Sequence, residues 1–211
     1  MSSPKTSTFD DAAQVWNRRF ERPDYLFGRE PNGWLATNVQ ALAVGGRVLC
    51  VADGEGRNSV WLAQRGFDVE AFDISNVGVA KARQLALQAG VQVTFSVASC
   101  DDFAWSPASY DAVVAIFIQF ADPDLRARIF AHSVQSLKPG GTLILQGYTP
   151  QQLEYKTGGP SILSHMYTED LLRSSFSTLQ IDKLSTYEAD LAEGSGHLGR
   201  SALVGMVAHK P

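Results

Sequence analysis

The sequence is poor in cysteine, has no long apolar run and carries no excess of positive charge. Its 211 residues include two cysteines, Cys50 and Cys100, which form neither a CxxC pair nor a Cys/His cluster with zinc spacing. We therefore expect no metal site. No stretch approaches about 18 consecutive apolar residues, and residues 1–7 are polar. Neither a membrane span nor a signal peptide is expected.

The charge balance argues against a nucleic-acid partner. Lysine and arginine number 18 against 22 acidic residues, which gives a net charge of −4. A protein that mainly neutralises phosphate backbones carries the opposite excess. The length is that of one domain, long enough to bury about 70% of the unfolded surface. We expect a cytoplasmic, reduced protein, monomeric or homodimeric, whose partner is a small molecule.

Strand and helix patterns alternate along the chain. Apolar runs predict strands at Arg47–Ala52, Phe67–Asp73, Val91–Val97, Tyr110–Phe117, Thr142–Gln146, Leu179–Tyr187 and Ser201–His209. Periodicity and caps predict helices at Phe9–Phe20, Trp34–Leu42, Asn58–Arg65, from Ser75 to about Ala89, from Asp122–Pro123 onwards and at Thr168–Ser174. Such alternation predicts an α/β, Rossmann-like, mostly parallel sheet of seven strands, with helices on both faces. The last two strands lack a helix between them, so the terminal strand is expected to be antiparallel.

A glycine-containing turn follows the first strand. Asp53-Gly54-Glu55-Gly56 connects that strand to a helix, and Asp73 ends the second strand. In doubly wound sheets ligands bind at the carboxyl ends of the strands, where a carboxylate can accept hydrogen bonds from ribose hydroxyls. A lone G-x-G is weak evidence and also fits an ordinary tight turn. In this setting it favours a ligand that contains a nucleoside.

Other motifs narrow the class of ligand. Ser59 stands where the dinucleotide fingerprint has its third small residue, so that fingerprint is incomplete. The Walker pattern and the G-x-S-x-G elbow are absent, which counts against ATP and against a hydrolase.

The chain resembles the class I methyltransferases that use S-adenosylmethionine. The resemblance rests on the glycine turn, on Phe72-Asp73-Ile74-Ser75, on Tyr110-Asp111-Ala112-Val113-Val114 and on Leu137-Lys138-Pro139-Gly140-Gly141. The segments Trp16-Asn17-x-Arg19-Phe20 and Phe27-Gly28-Arg29-Glu30-Pro31-Asn32 are similar to small tellurite-resistance and thiopurine-type methyltransferases. This resemblance implies a single domain with a helical cap (1–44), a cofactor-binding core (45–150) and a substrate-side part (151–211).

Two positions depart from the family pattern. Cys50 replaces the usual acidic residue of the first strand, and Ala52 replaces the first glycine of the turn. Ala52 adds a methyl group where backbone and cofactor approach each other. A protein with weakened cofactor binding, or a non-catalytic one, therefore stays an alternative.

The resemblance also implies the residues of the site. Gly54 and Gly56 would line the methionine portion, Asp73 would hold the ribose, Ile74 would pack on the adenine, and Arg29 would pair with the cofactor's carboxylate. The implied cofactor contacts are Arg29, Ala52, Asp53, Gly54, Gly56, Asn58, Asp73, Ile74, Ser99, Cys100, Asp101 and Ile116.

Loops at the carboxyl edge of the sheet supply the candidates for catalysis. Tyr148 directly follows the fifth strand, and His197 lies in the Gly-rich stretch Glu188–Arg200, which we interpret as a mobile lid. Tyr148 and His197 are the predicted catalytic residues, with His197 the first choice for a base. The expected reaction is methyl transfer to a small, soft nucleophile, a thiol or a selenium or tellurium oxyanion. Alternatives are a protein side chain as acceptor, a non-catalytic binding protein and, least favoured, a nicotinamide-dependent oxidoreductase.

Overall fold

The computed structural model describes residues 9–211, with side chains described from residue 12 onwards. Its strands are β1 (Arg47–Val51), β2 (Asp68–Asp73), β3 (Thr94–Val97), β4 (Tyr110–Ile116), β5 (Leu137–Tyr148), β6 (Gln180–Glu193) and β7 (His197–His209). Its α-helices are α1 (Phe9–Phe20), α2 (Gly33–Asn38), α3 (Arg57–Ala63), α4 (Asn76–Ala89), α5 (Pro123–Ser136), α6 (Gln152–Tyr155) and α7 (Glu169–Ser175). Short 3-10 turns occupy Val39–Ala41 and Leu163–His165. Within this part of the chain, no helix is both long and apolar enough to span a bilayer.

The strands form one sheet in the order β3-β2-β1-β4-β5-β7-β6. Strands β1 to β5 are parallel, and β7 is antiparallel to both of its neighbours. The predicted mostly parallel sheet with an antiparallel terminal strand is confirmed, although that strand, last in the chain, lies between β5 and β6. The strand order reverses between β1 and β4. That is the switch point at which doubly wound sheets bind ligands.

Alternate residues of β1 divide the apolar core between the two faces of the sheet. Leu49 and Val51 belong to a core covered by α5 and α7. Val48 and Cys50 face the opposite core, covered by α2 and α3. Because β1 is buried on both faces, its sequence is a continuous apolar run and does not alternate between apolar and polar residues.

Side-chain caps fix the ends of the longer helices. The hydroxyl of Ser75 accepts a hydrogen bond from the N–H of Gly78 (3.0 Å) at the start of α4, which Gly90 closes in a left-handed conformation. Asp122 caps α5 through the N–H of Leu125 (2.8 Å). These ends agree with those expected from the sequence, because capping is a local interaction that needs no knowledge of the tertiary fold.

The segment 188–200 is not a lid loop, so that prediction is wrong. It forms the far half of the β6–β7 hairpin, where pairing continues from Glu188 opposite Ala202 to Glu193 opposite His197. The signal was present in the sequence. Tyr187, Ala189 and Leu191 alternate with polar or small residues and are half-buried in the structure, the period-2 pattern of a strand.

Strand β5 is also longer than predicted. It begins at Leu137 rather than Thr142, with a register shift against β4 between Tyr110 and Ala112. The Lys138–Gly141 turn is thus an irregularity inside the strand. Backbone hydrogen bonds between this turn and Lys210 hold it against the chain end.

The tip of the hairpin, residues 194–196, docks against residues 26–28. Gly196 donates its backbone N–H to the carbonyl oxygen of Leu26 (2.8 Å). Gly194 has φ +68°, and a Cβ at this position would overlap the backbone of Leu26 and Gly28. Only glycine allows the two segments to approach this closely.

Replacing Gly194 with alanine tests this packing against a matched control. Gly90 has the same φ of +68° with nothing within 4 Å of a built Cβ. We expect Gly90→Ala to lower the free energy of unfolding by roughly 1–2 kcal/mol through backbone strain alone. Gly194→Ala should cost about 1–3 kcal/mol more, because the hairpin tip must shift. Urea unfolding of both variants measures the difference, and equal losses would contradict the close approach.

Candidate active site

A cavity of about 310 Å³ lies at the carboxyl ends of β1, β2 and β4, above the switch point. It brings together most of the residues that the sequence analysis singled out. The predicted site residues that line it are Ala52, Asp53, Gly54, Asn58, Asp73, Ile74, Ser99, Cys100, Asp101, Ile116, Tyr148 and His197.

Two carboxylates, the buried Asp73 and the half-buried Asp53, occupy one end of the cavity. Asp73 accepts backbone hydrogen bonds from Gly54 (2.9 Å) and Ser75 (2.8 Å). The Oδ2 atom of Asp53 accepts a hydrogen bond from the Ser59 hydroxyl, and its buried Oδ1 atom has no partner among the described residues. Burial raises the pKa of Asp53 to about 7 and that of Asp73 to about 6. This end of the cavity suits a ligand with a positive charge and hydrogen-bond donors.

The segment 99–101 forms the rim beside Asp73. Asp101 is engaged with Arg128 through two hydrogen bonds of 2.8 Å, which lower the pKa of its carboxyl group. The Ser99 hydroxyl donates to the side chain of Asp102 over 2.5 Å. Burial raises the pKa of the Cys100 thiol to about 12. Cys100 is therefore a protonated, weakly reactive wall residue at neutral pH.

Four aromatic rings form the opposite end of the cavity, and we call them the aromatic stack: Phe27, His197, Phe117 and Tyr148. The imidazole of His197 lies between Phe27 (centroids 4.5 Å apart) and Phe117 (4.3 Å). Its Nδ1 atom is 2.5 Å from the hydroxyl of Tyr148. Burial, with the nearby charges of Arg57 and Arg19, lowers the pKa of His197 to about 3. The imidazole is thus neutral at physiological pH.

An ion pair joins the end of β6, next to the hairpin tip, to the start of α3, next to the glycine turn, and it also fixes the backbone of Phe27 in the aromatic stack. The Arg57 guanidinium is 2.7 Å from the Glu193 carboxylate, and both side chains are largely buried. Arg57 also donates to the carbonyl oxygen of Phe27 (3.1 Å), while Glu193 accepts from the backbone of Gly33 (3.0 Å) and the side chain of Asn32. Sequence reasoning missed this pair, because no local pattern relates residues so distant in the chain.

Helix α1 covers the cavity with Trp16, Arg19 and Phe20. Lys81 holds the end of this helix by donating to the carbonyl oxygens of Phe20 (3.3 Å), Arg22 (3.1 Å) and Asp24 (2.6 Å). Asn17 accepts a hydrogen bond from the hydroxyl of Ser75 (2.6 Å). The N-terminal helix is therefore tied to α4 and to the turn after β2, and it forms part of the cavity wall.

Two non-glycine residues of the cavity wall have a left-handed backbone. Ala52 has φ +48° and Phe117 has φ +55°. Each costs roughly 1–2 kcal/mol relative to an ordinary conformation, and such strain concentrates at functional sites. The conformation at Ala52 explains why glycine suits this position, since glycine adopts it without strain.

The comparisons with known proteins agree with this geometry. Residues 48–141 match the family model described as a methyltransferase domain. A ubiquinone biosynthesis O-methyltransferase of Xanthomonas campestris pv. campestris is 41% identical over 102 residues, 48% of this chain and 42% of that protein. The protein solved for the conversion of a disulfide bond into a thioacetal group during echinomycin biosynthesis is 17% identical with a TM-score of 0.76, covering 94% of this chain and 93% of its own. TehB from Haemophilus influenzae is 15% identical with a TM-score of 0.69, covering 94% and 67%.

Residues 48–141 form a methyltransferase domain, and together with the shared fold this match supports a class I S-adenosylmethionine-dependent methyltransferase. The sequence-based assignment is therefore confirmed, and the family implies S-adenosylmethionine as the cofactor. The chain spans less than half the length of the curated relatives it matches. The solved structures share its fold at low identity, so they leave the methyl acceptor open.

Two predicted contacts lie outside the wall of the cavity. Arg29 is exposed, hydrogen bonds to the side chain of Gln88 and packs over the ring of Tyr25 at 5.0 Å. Gly56 is a packing glycine: a Cβ there would lie 2.7 Å from the side chain of Ala82 on α4. Neither residue lines the cavity in this structure, and the cofactor contacts predicted for Arg29 and Gly56 stay predictions.

Arg19 was overlooked, although it stands in the quoted Trp16-Asn17-x-Arg19-Phe20 segment. It borders the cavity and packs over the ring of Trp16 at 4.4 Å, and it forms no ion pair within residues 12–211. The i, i+3 spacing from Trp16 places both side chains on one helix face. That spacing was the signal that could have identified it.

The buried carboxyl of Asp53 should make stability depend on pH in a defined direction. The folded protein keeps the Asp53 proton up to about pH 7, whereas the unfolded chain releases it near pH 4. The folded state thus binds more protons in this window, and its free energy of unfolding falls as the pH rises from about 4 to about 7. We expect Asp53→Asn to be more stable than the wild type at pH 8, by about 1–3 kcal/mol, and to lose this advantage near pH 4.

Urea unfolding at several pH values measures the effect. The control is Asp101→Asn, because Arg128 lowers the pKa of Asp101 and its loss gives no gain at pH 8. An Asp53→Asn variant no more stable than the wild type at pH 8 would show that this carboxylate is not destabilising.

Proposed function

We propose that the protein transfers a methyl group from S-adenosylmethionine to the sulfur of a small thiol. The observation that carries this proposal is one cavity with the carboxylates of Asp53 and Asp73 at one end and the aromatic stack at the other. The cofactor would supply an electrophilic methyl group on a sulfonium. The protein's task is to align the acceptor with that methyl, and such alignment is worth roughly 7–11 kcal/mol of the barrier.

The carboxylate end fits the cofactor. The unpartnered Oδ1 atom of Asp53 suits the ammonium group, because a buried carboxylate oxygen without a partner favours a cationic ligand. The free lone pairs of Asp73 suit the two ribose hydroxyls. Ile74 and the backbone at Cys100 supply apolar and polar contacts for the adenine. Asp101 would act only at the rim, since Arg128 occupies its carboxylate.

We assign the cofactor's carboxylate to Arg19 in place of Arg29. Arg19 is the arginine of the cavity wall that has no ion pair within the described side chains, whereas Arg57 is engaged with Glu193. Burial lowers the pKa of Arg19, yet a guanidinium keeps its charge at neutral pH. An anionic group in the cavity would compensate the desolvation of that charge.

The aromatic stack favours sulfur as the acceptor atom. Polarisable sulfur packs well against aromatic rings. A selenium or tellurium oxyanion would need several cations, and Arg19 is already assigned. A phenol, as the name of the O-methyltransferase relatives suggests, would need a competent base, but His197 with its pKa near 3 is a poor one. A thiol, with an ordinary pKa of about 8.5, ionises without help from a strong base.

The segments that partly cover the cavity also favour a small acceptor over a protein side chain. Helix α1, residues 26–28 and the hairpin tip all cover it, and each is held by buried or partly buried polar contacts. A protein acceptor would have to displace this cover. A nicotinamide-dependent reaction is disfavoured by the family match. A non-catalytic binding role stays an alternative that a turnover assay decides.

The proposal predicts turnover with thiols. Purified protein with S-adenosylmethionine and a panel of alkyl and aromatic thiols should form S-adenosylhomocysteine and the thioether, detected by mass spectrometry. Matched phenols, selenite and tellurite should react at least roughly 100-fold more slowly, because they lack either the ionised sulfur or the required cations. Faster turnover of a phenol or an oxyanion than of any thiol would contradict the proposal and identify that compound class as the acceptor. No turnover despite binding of S-adenosylhomocysteine would favour the non-catalytic role.

A further inference from the structure

The hydrogen bond between Tyr148 and His197 determines where the imidazole carries its proton. His197 is 7% exposed, and its Nδ1 atom is 2.5 Å from the Tyr148 hydroxyl. The Ser201 hydroxyl, which donates to the carbonyl oxygen of Gly199 (3.0 Å), also lies beside the Tyr148 hydroxyl. Its contact lowers the pKa of Tyr148, which is the effect of a donor, so it does not take the Tyr148 proton. The Tyr148 proton is therefore directed to Nδ1.

A neutral imidazole that accepts at Nδ1 must carry its proton on Nε2. Burial raises the pKa of Tyr148, so the phenol keeps the proton that it donates. His197 lines the cavity, and its Nε2 atom has no recorded partner in the described part of the chain. Nε2 is thus an N–H donor, not a lone pair, on a residue of the cavity wall.

The charges around His197 maintain this state. The ionisable groups that face it or share its cavity are Arg19 on α1, Arg57 on α3, Tyr148 on β5, Glu193 on β6, and Cys50, Asp53, Asp73, Cys100 and Asp101 across the cavity. Arg19 and Arg57 both disfavour an imidazolium. Glu193 is paired with Arg57, which limits its opposing effect. A protonated His197 is therefore disfavoured from several sides.

We propose that His197 donates a hydrogen bond from Nε2 to an acceptor that binds as an anion, and that Tyr148 is the positioning residue that imposes this tautomer. The inference rests on the proposed function and changes the role predicted for His197, which was that of a base. The thiol loses its proton to solvent before it binds. A sulfur lone pair then forms the bond to the methyl carbon while the bond between that carbon and the sulfonium sulfur breaks, and no proton passes to the protein.

The tautomer is observable without any turnover. In protein labelled with ¹⁵N-histidine, the two ring nitrogens of each of the four histidines give distinct NMR signals for protonated and unprotonated nitrogen. His197→Gln identifies the signals of His197 by their loss. We expect a proton on Nε2, none on Nδ1, and no change between pH 5 and pH 8, because the pKa of His197 is about 3. A proton on Nδ1, or an imidazolium at pH 7, would overturn the inference.

The Tyr148→Phe variant tests the positioning role. Without the hydroxyl, Nδ1 has no recorded donor, so we expect a mixture of the two tautomers in place of one. The ring packing against Phe117 is kept, since only the hydroxyl is removed. An unchanged single tautomer in Tyr148→Phe would show that Tyr148 does not impose it.

Kinetics separate a donor from a base. Glutamine can donate from a similar position but cannot act as a base, while phenylalanine keeps the ring packing and does neither. For a reactive thiol, kcat/KM should fall by less than about 10-fold in His197→Gln and by roughly 10- to 100-fold in His197→Phe, the range for one hydrogen bond to a charged group. His197→Phe leaves the Tyr148 hydroxyl without its partner, which could destabilise the fold. In that case the double variant His197→Phe/Tyr148→Phe, which removes this hydroxyl as well, is measured instead.

The pH profile gives the deciding readout. With thiols of graded pKa, the acid limb of kcat/KM should follow the pKa of each thiol, in the wild type and in His197→Gln alike. An acid limb at one fixed pH for all thiols, lost in His197→Gln, would make His197 a base and overturn the inference. Failure to methylate any thiol would overturn the proposed function as a whole. An unexpected NMR tautomer with thiol turnover intact would overturn this inference alone.

Discussion

The buried ion pair between Arg57 and Glu193 is the interaction on which the site depends. It joins the start of α3, next to the glycine turn, to the end of β6, and through backbone contacts it also fixes Phe27 and Gly33. Removing one partner of such a pair typically costs 3–5 kcal/mol, because the other charge is left buried. Here it would also release the hairpin tip, and with it the aromatic stack. Segments from the beginning, the middle and the end of the chain thus meet in one wall.

The carboxylate end of the cavity shows a second constraint: groups that suit a ligand lower the stability of the protein without that ligand. Asp53 and Asp73 are both desolvated, and burial raises the pKa of each. In a protein without a ligand, two such groups oppose folding at neutral pH. The left-handed backbone at Ala52 adds strain at the same place. A cationic ligand that donates hydrogen bonds to these carboxylates would relieve part of this cost, and this explains why destabilising features cluster at one site.

Features set by local rules were predictable, and those set by distant contacts were not. The strand–helix alternation, the cap at Ser75 and the carboxylate at Asp73 follow from short-range patterns, and the structure has them where expected. The hairpin beyond Tyr187 was misread because its glycines suggested a loop, although its alternating residues indicated strands. The roles of Arg29 and Gly56 were carried over from family position, which does not specify what Gln88 and Ala82 contribute around them. The pairing of Arg57 with Glu193 has no sequence signature.

Calorimetric titration with S-adenosylhomocysteine, in two buffers of different ionisation enthalpy near pH 7, tests the central claim most directly. If Asp53 holds the ammonium group, it must be ionised in the complex, and its pKa of about 7 in the free protein means that binding releases a fraction of a proton. The account predicts saturable binding with proton release that Asp53→Asn abolishes, and no comparable heat with NADH. No binding, or binding with the same proton balance in Asp53→Asn, would contradict it.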